Sequence, residues 1–156
     1  MGRGTQREIQ RVNPEVMVMM VGGNDISFDR DADEIAAAIE TFATVCVNRL
    51  AIRRVIVCQV MPRFSAPYRL LKQVPRSKRR EWERRYLSMY RTKAREINRL
   101  LGIALFTSRS IRFWDHNGKF KADSCDHKYD ADGIHLNEKG QWHLYKSLRG
   151  AINSAF

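Results

Sequence analysis

Acidic residues are scarce in this sequence: 17 Asp and Glu stand against 28 Lys and Arg, a net charge of +11. An excess of one sign creates a field able to attract nucleic acid or an acidic surface. Long apolar runs are missing too. No stretch approaches the length of a membrane span, which excludes a helical membrane segment. The opening Gly-Arg-Gly-Thr-Gln-Arg is polar and basic, unlike a signal peptide, so any targeting signal would lie outside these residues and the compartment stays open. Cysteines are few and odd in number. Cys46, Cys58 and Cys125 make no disulfide framework. Cys46 and Cys58 fall in apolar periodic segments, where buried reduced thiols are expected. No internal repeat and no low-complexity tract occurs.

What is present suits one domain, residues 1–156, with 44% hydrophobic residues to build a core. A short helix is predicted over Thr5 to Val12. Val16-Met-Val-Met-Met-Val21 is a continuous apolar run of strand length, as in a parallel strand buried on both faces. Asp31 with Glu34 three residues on reads as a capping box. Ile35, Ile39, Phe42, Cys46 and Leu50 then recur at helical spacing, predicting a helix over Ala32 to Leu50. A second buried strand is predicted over Arg54 to Met61, and Pro62 stops it. Arg63 to Pro75 reads as a loop at the edge where open α/β sheets bind ligands.

Ser77 to Leu101 is the longest helical pattern, with Gly102 as its stop. Trp82, Tyr86, Met89, Tyr90, Ile97 and Leu101 follow one face, and Arg80, Arg84, Arg91 and Arg95 follow another. A short strand over Ile111 to Trp114 and an irregular polar segment over Asp115 to Tyr129 come next. Asn137 reads as the N-cap of a closing helix over Glu138 to Asn153, with Trp142, Tyr145, Leu148 and Ile152 inward. The alternation of strands and helices predicts a parallel three-layer α/β/α sandwich.

Two stretches carry chemistry. In Asp130-Ala-Asp-Gly-Ile-His-Leu-Asn137 a carboxylate, Asp132, precedes an imidazole, His135, by three residues. Gly133 lets the backbone turn tightly between them. That pairs an orienting group with a general base. Upstream, Val21-Gly-Gly-Asn-Asp25 follows the first strand, and a side-chain amide on such a turn is a candidate oxyanion donor. Asp115, His116, Asp123, Cys125, Asp126, His127 and Asp130 crowd one segment. Their spacing matches no metal pattern, so the segment reads as a solvated acidic loop with no metal.

Gly22-Gly23-Asn24-Asp25 resembles the G-x-N-D block of the SGNH (GDSL-type) hydrolases, and Asp132-Gly133-Ile134-His135 resembles their D-x-x-H block. Their order and separation also fit. The resemblance covers most of the chain and implies an SGNH hydrolase-like, flavodoxin-like sandwich, N-terminally truncated. It implies that His135 and Asp132 are catalytic and that Asn24 serves the oxyanion hole. Gly22, Gly23 and Asp25 would shape the site, and Gly4 is the positional match for a second oxyanion donor. It implies ester substrates and no cofactor. The family's Gly-Asp-Ser block, which supplies the nucleophile, has no counterpart among these residues, so the first strand and nucleophile block are expected to be absent. The loop serines Ser27, Ser65, Ser108 and Ser124 stand on no strand-to-helix elbow. The chain as given is therefore expected to be inactive.

The alternative is a non-catalytic binding module. From Arg69 to Arg99 twelve Lys or Arg face three Glu, a net +9. Arg80, Arg84, Arg91 and Arg95 could meet RNA, DNA or an acidic protein. A solvated face is favoured, because Trp82, Tyr86 and Tyr90 are expected in the core rather than stacked on bases.

Overall fold

The computed structural model describes residues 3–124 and 126–155; Cys125 lies outside them. Three strands, β1 (Val16–Met19), β2 (Arg54–Cys58) and β3 (Ile111–Trp114), form a parallel sheet in the order β1-β2-β3. Val16 pairs with Arg54, and Val55 with Ile111. Among the described residues five helices accompany the sheet, the second in the first crossover and the third and fourth in the second. These are α1 (Arg3–Val12), α2 (Ala32–Leu50), the single turn α3 (Tyr68–Leu71), α4 (Arg79–Ala104) and α5 (Glu138–Asn153).

Strand alternation sorts the layers. Met17, Met19, Val55, Val57, Ile111 and Phe113 pack against α2 and α4. Val16, Val18, Ile56, Cys58 and Trp114 point the other way and meet Leu148 and Ala151 of α5. Only β2 is buried at every position from Val55 to Cys58, as a central strand must be. Two helices therefore cover one face and one helix the other. The outer edge of β1 pairs with no strand among the described residues.

Several boundaries differ from the sequence expectation, each for a local reason. β1 stops at Met19, and Met20 and Val21 are exposed beyond the ladder. β2 stops at Cys58 because Val60 turns to a side chain instead. Its N–H donates to Asn98 Oδ1 at 2.7 Å, and its carbonyl accepts from Asn98 Nδ2 at 3.1 Å. The Arg63 to Pro75 loop contains α3. A 3-10 turn over Arg76–Lys78 comes before α4, which runs through Gly102 to Ala104.

The capping box at Asp31 does not form, since the Asp31 side chain makes no cap bond. Lys93 fixes that corner from α4 instead. Its Nζ donates to the carbonyls of Ser27, Phe28 and Arg30 at 3.0, 3.2 and 2.5 Å.

The inner face of α5 is also a correction. Gly140, Ser147 and Ala151 are its buried residues, while Trp142 and Tyr145 are each 54% exposed and Ile152 is 38% exposed. Small residues let this helix approach closely. A side chain at Gly140 would collide with the Lys128 carbonyl.

His116 is a third correction, for it does not belong to a solvated loop. It is fully buried, with Nδ1 3.0 Å from Ser147 Oγ.

Candidate active site

The turn that carries His135 is built by its own aspartate. Asp132 Oδ1 accepts from the backbone N–H groups of Ile134 and His135 at 2.8 and 2.9 Å. Gly133 holds φ +64°, and a Cβ there would lie 2.7 Å from the Ser65 amide nitrogen. No other residue fits both the left-handed backbone and that approach. Asn137 closes the turn. Its Oδ1 accepts from the Gly140 N–H at 3.0 Å, and its Nδ2 donates to the carbonyls of His127 and Tyr129. The expected N-cap is thus also a clamp on the preceding loop.

Asp132 Oδ2 lies 2.5 Å from His135 Nδ1. A carboxylate only accepts, so Nδ1 carries the proton and Nε2 keeps its lone pair. The His135 side chain is 78% exposed, which presents Nε2 outward. Backbone N–H bonds from His135 and Ile134, then the imidazole bond, hold the Asp132 carboxyl down at about 2. It remains an anion wherever histidine could act as a base.

The second stretch lies just past the end of β1. Gly22 holds φ +95°, and a Cβ would meet Ile39 Cδ1 at 2.8 Å; one on Gly23 would meet Tyr90 Oη at 3.0 Å. The glycines thus let the chain pass over α2 and α4. Asp25 caps this bend, its N–H donating to the Gly22 carbonyl at 3.1 Å and its carboxylate pairing with Arg30 at 3.1 Å.

Asn24 is exposed, and Arg63 Nη2 donates to its Oδ1 at 2.7 Å. That bond decides the amide's orientation. With the oxygen taken, the NH2 group is the end left to donate. Arg63 is held in turn by the Tyr86 hydroxyl at 3.1 Å and lies over the Tyr90 ring at 4.8 Å.

The sequence reading missed Arg63. The one signal for it was a basic residue five positions past β2, on the edge where ligands bind. It is also the joint between the two stretches. From Arg63 the chain passes to Phe64, whose N–H donates to the Gly133 carbonyl at 2.8 Å.

Asn24, Gly22, Gly23, Asp25, Arg63 and Ile134 line one open cavity of about 360 Å3 past the C-terminal ends of β1 and β2. The structure thus brings the Asn24 bend and the His135 turn to the same edge. Gly4, the second oxyanion candidate, lies within α1. Ser65 is the hydroxyl set against the turn, its Oγ 2.9 Å from where a Gly133 Cβ would be. No serine hydroxyl bonds His135 among the described residues. A larger cavity, about 660 Å3, opens at the opposite edge of the sheet beside Arg54, Ser108 and Ser154; Asn24, Arg63, Asp132 and His135 are not among its lining residues.

Of the four arginines singled out on α4, Arg80, Arg84 and Arg95 are exposed and Arg91 is half-buried. Tyr86 and Tyr90 are in the core, and Trp82 stacks on Tyr86 at 5.4 Å. Cys46 and Cys58 are buried thiols. Burial raises both, Cys58 to about 11, which makes them poor nucleophiles.

The model of the GDSL-like lipase/acylhydrolase family matches residues 1–143. A solved structure of a protein provisionally called a platelet activating factor, from Streptococcus pneumonia, superposes with a TM-score of 0.63 at 17% identity. The match covers 87% of this chain and 58% of that one, so the present chain spans little more than half of that relative's length. At that identity the likeness is one of fold. No curated protein matches the chain.

Proposed function

The chain belongs to the GDSL-like lipase/acylhydrolase family, and from that we propose that residues 1–156, read as one domain, carry the base and oxyanion half of an acyl-ester hydrolase site. One observation carries the reading. His135 is fixed by Asp132 with Nε2 facing out, and Ile134 beside it lines the cavity into which the Arg63-held Asn24 amide opens.

The chemistry follows from the two ends. A hydroxyl nucleophile attacks the ester carbonyl, and its proton passes to His135 Nε2. The new oxyanion accepts from Asn24 Nδ2. The proton then goes to the leaving alcohol, and water repeats the sequence on the acyl-enzyme. Asp132 keeps the imidazole in the accepting tautomer and stabilises the imidazolium. The nucleophile is the missing part: no Gly-Asp-Ser block occurs in the 156 residues.

Fluorophosphonate labelling and p-nitrophenyl acetate turnover test the reading. The chain as given should form no covalent adduct and should hydrolyse the ester no faster than free imidazole. If the reading frame upstream of Met1 encodes a Gly-Asp-Ser block, the extended protein should label on that serine and turn over. His135→Ala should then abolish turnover, and Asn24→Ala should reduce it about 10²–10³-fold, as loss of one oxyanion donor does. Labelling of Ser65 or another loop serine in the present chain would overturn the assignment of the nucleophile. Turnover that survives His135→Ala would overturn that of the base.

A further inference from the structure

Next to the catalytic cavity lies a second cleft of about 650 Å3, and the two share Gln59, Val60 and Pro62 as wall. Its charged lining is mostly cationic. Arg84, Arg91 and Arg95 project from one stripe of α4, and Lys121 stands among the other lining residues. One carboxylate, Asp123, also lines it.

None of the four cations has a carboxylate within ion-pair distance among the described residues. The acidic residues of α4 do not offset them. Glu96 is taken by Arg99 at 2.6 Å, Glu83 accepts from the Ala66 N–H at 2.9 Å, and Glu81 lines a separate hollow beside Trp82. Arg91 adds an independent observation. Its guanidinium lies over the Phe64 ring at 5.5 Å, and its Nε is buried with no hydrogen-bond partner. A buried donor without an acceptor costs free energy. So do like charges gathered round one hollow, whose low-dielectric walls focus their field. An anion in the cleft would relieve the gathered charge. Val60, Pro62, Leu87 and Phe120 add apolar wall among neutral polar groups such as Ser88 and Thr92, and the volume is that of a small-molecule site.

We propose that this cleft binds the anionic end of an amphiphilic small molecule, a phosphate or carboxylate on a hydrocarbon body. Arg84, Arg91, Arg95 and Lys121 take the head group, and the Val60–Phe120 wall takes the body. Its use as a substrate subsite, with an ester of the same molecule at Asn24 and His135, rests on the hydrolase reading. Its capacity to bind the anion does not.

Calorimetric titration of the full chain with hexyl phosphate and, separately, with hexanoate tests the proposal. Saturable binding of one molecule per chain is expected. The ratio of the two affinities identifies the head group. Arg84→Gln with Arg95→Gln should weaken binding about tenfold or more, the scale of one lost charge-assisted hydrogen bond. Both side chains are exposed, so this variant should melt like the parent. Arg91→Gln should weaken binding as well. Arg80→Gln removes the same charge from the same stripe, outside the cleft, and should change affinity less than twofold.

His135→Ala should leave binding intact, which separates failure of this proposal from failure of the esterase reading. Three results would overturn it: no saturable binding of either probe; equal losses in the Arg80 variant and the Arg84/Arg95 variant, which would show a diffuse field; or tight binding of single-stranded RNA that hexyl phosphate does not displace, which would show a polyanion surface.

Discussion

His116 shows how one buried side chain can set the acid limit of a fold. Trp114 Nε1 donates to Ser147 Oγ at 2.9 Å, so the Ser147 hydroxyl proton is free to donate to His116 Nδ1 at 3.0 Å. The ring proton then sits on Nε2, which is buried without a partner. Burial is the main cause that pushes the imidazole from 6.5 down to about 4, while nearby Asp115 opposes the shift and Lys119 adds to it. An unfolded chain takes up this proton as the pH falls through 6.5, and the folded one resists until about 4. The histidine's contribution is therefore complete above pH 6.5 and is lost between 6.5 and 4. It amounts to at most about 3 kcal/mol. Urea melts at pH 7.5 and 4.5 should show that loss. His116→Asn, which suits the left-handed backbone there, should be less stable at neutral pH but should lose less on acidification. A parent with equal stability at both pH values would contradict the assignment.

Residues bonded to close neighbours in the chain were legible. Asp132, His135 and Asn137 form one bend through side-chain bonds that reach at most ten positions. The sequence order alone told which groups would meet. Arg63 was not legible, because its partner Asn24 lies 39 positions away and only the packed sheet brings them together. His116 was misread for the same reason: its aspartate neighbours imply a wet loop, and Ser147, 31 positions on, removes it from water.

Among the elements, α2 was read to the residue, since five apolar positions at helical spacing leave one solution. The inner face of α5 was misread because hydropathy favours Trp142 and Tyr145, whereas closeness to Lys128 and Trp114 selects Gly140, Ser147 and Ala151. Gly102 was misread as a stop. It is helical, and a Cβ there would meet only Phe113 ring carbons at 3.7 and 3.9 Å, ordinary contact. Glycine in a helix costs ~0.5–1 kcal/mol relative to alanine. Gly102→Ala should therefore stabilise the protein and raise Tm by roughly 1–4 °C in a calorimetric scan. A lower Tm would show that the Phe113 contact cannot yield.

At the scale of the molecule, a net +11 sets copies against one another at low ionic strength, while the side of β1 that pairs with no strand among the described residues invites them together. Salt weakens the repulsion and leaves backbone hydrogen bonding largely untouched. Sedimentation should therefore show reversible association that grows with added salt, opposite in sign to the salt response of anion binding in the cleft. Met20→Lys, at an exposed position just past β1, should suppress it, as charges on sheet edges do. A monomer at every salt and protein concentration would refute this.

The open side of β1 has a consequence for selectivity. Its recognition groups are main-chain N–H and C=O, identical in every polypeptide, so it accepts guests by outline rather than by spelling. An extended segment aligned parallel to β1 would leave that sheet at the Met19 end, beside Asn24. Whatever side chain came next in such a guest would be delivered to the rim where the His135 imidazole waits. The strand edge would then act as a guide rail to that rim.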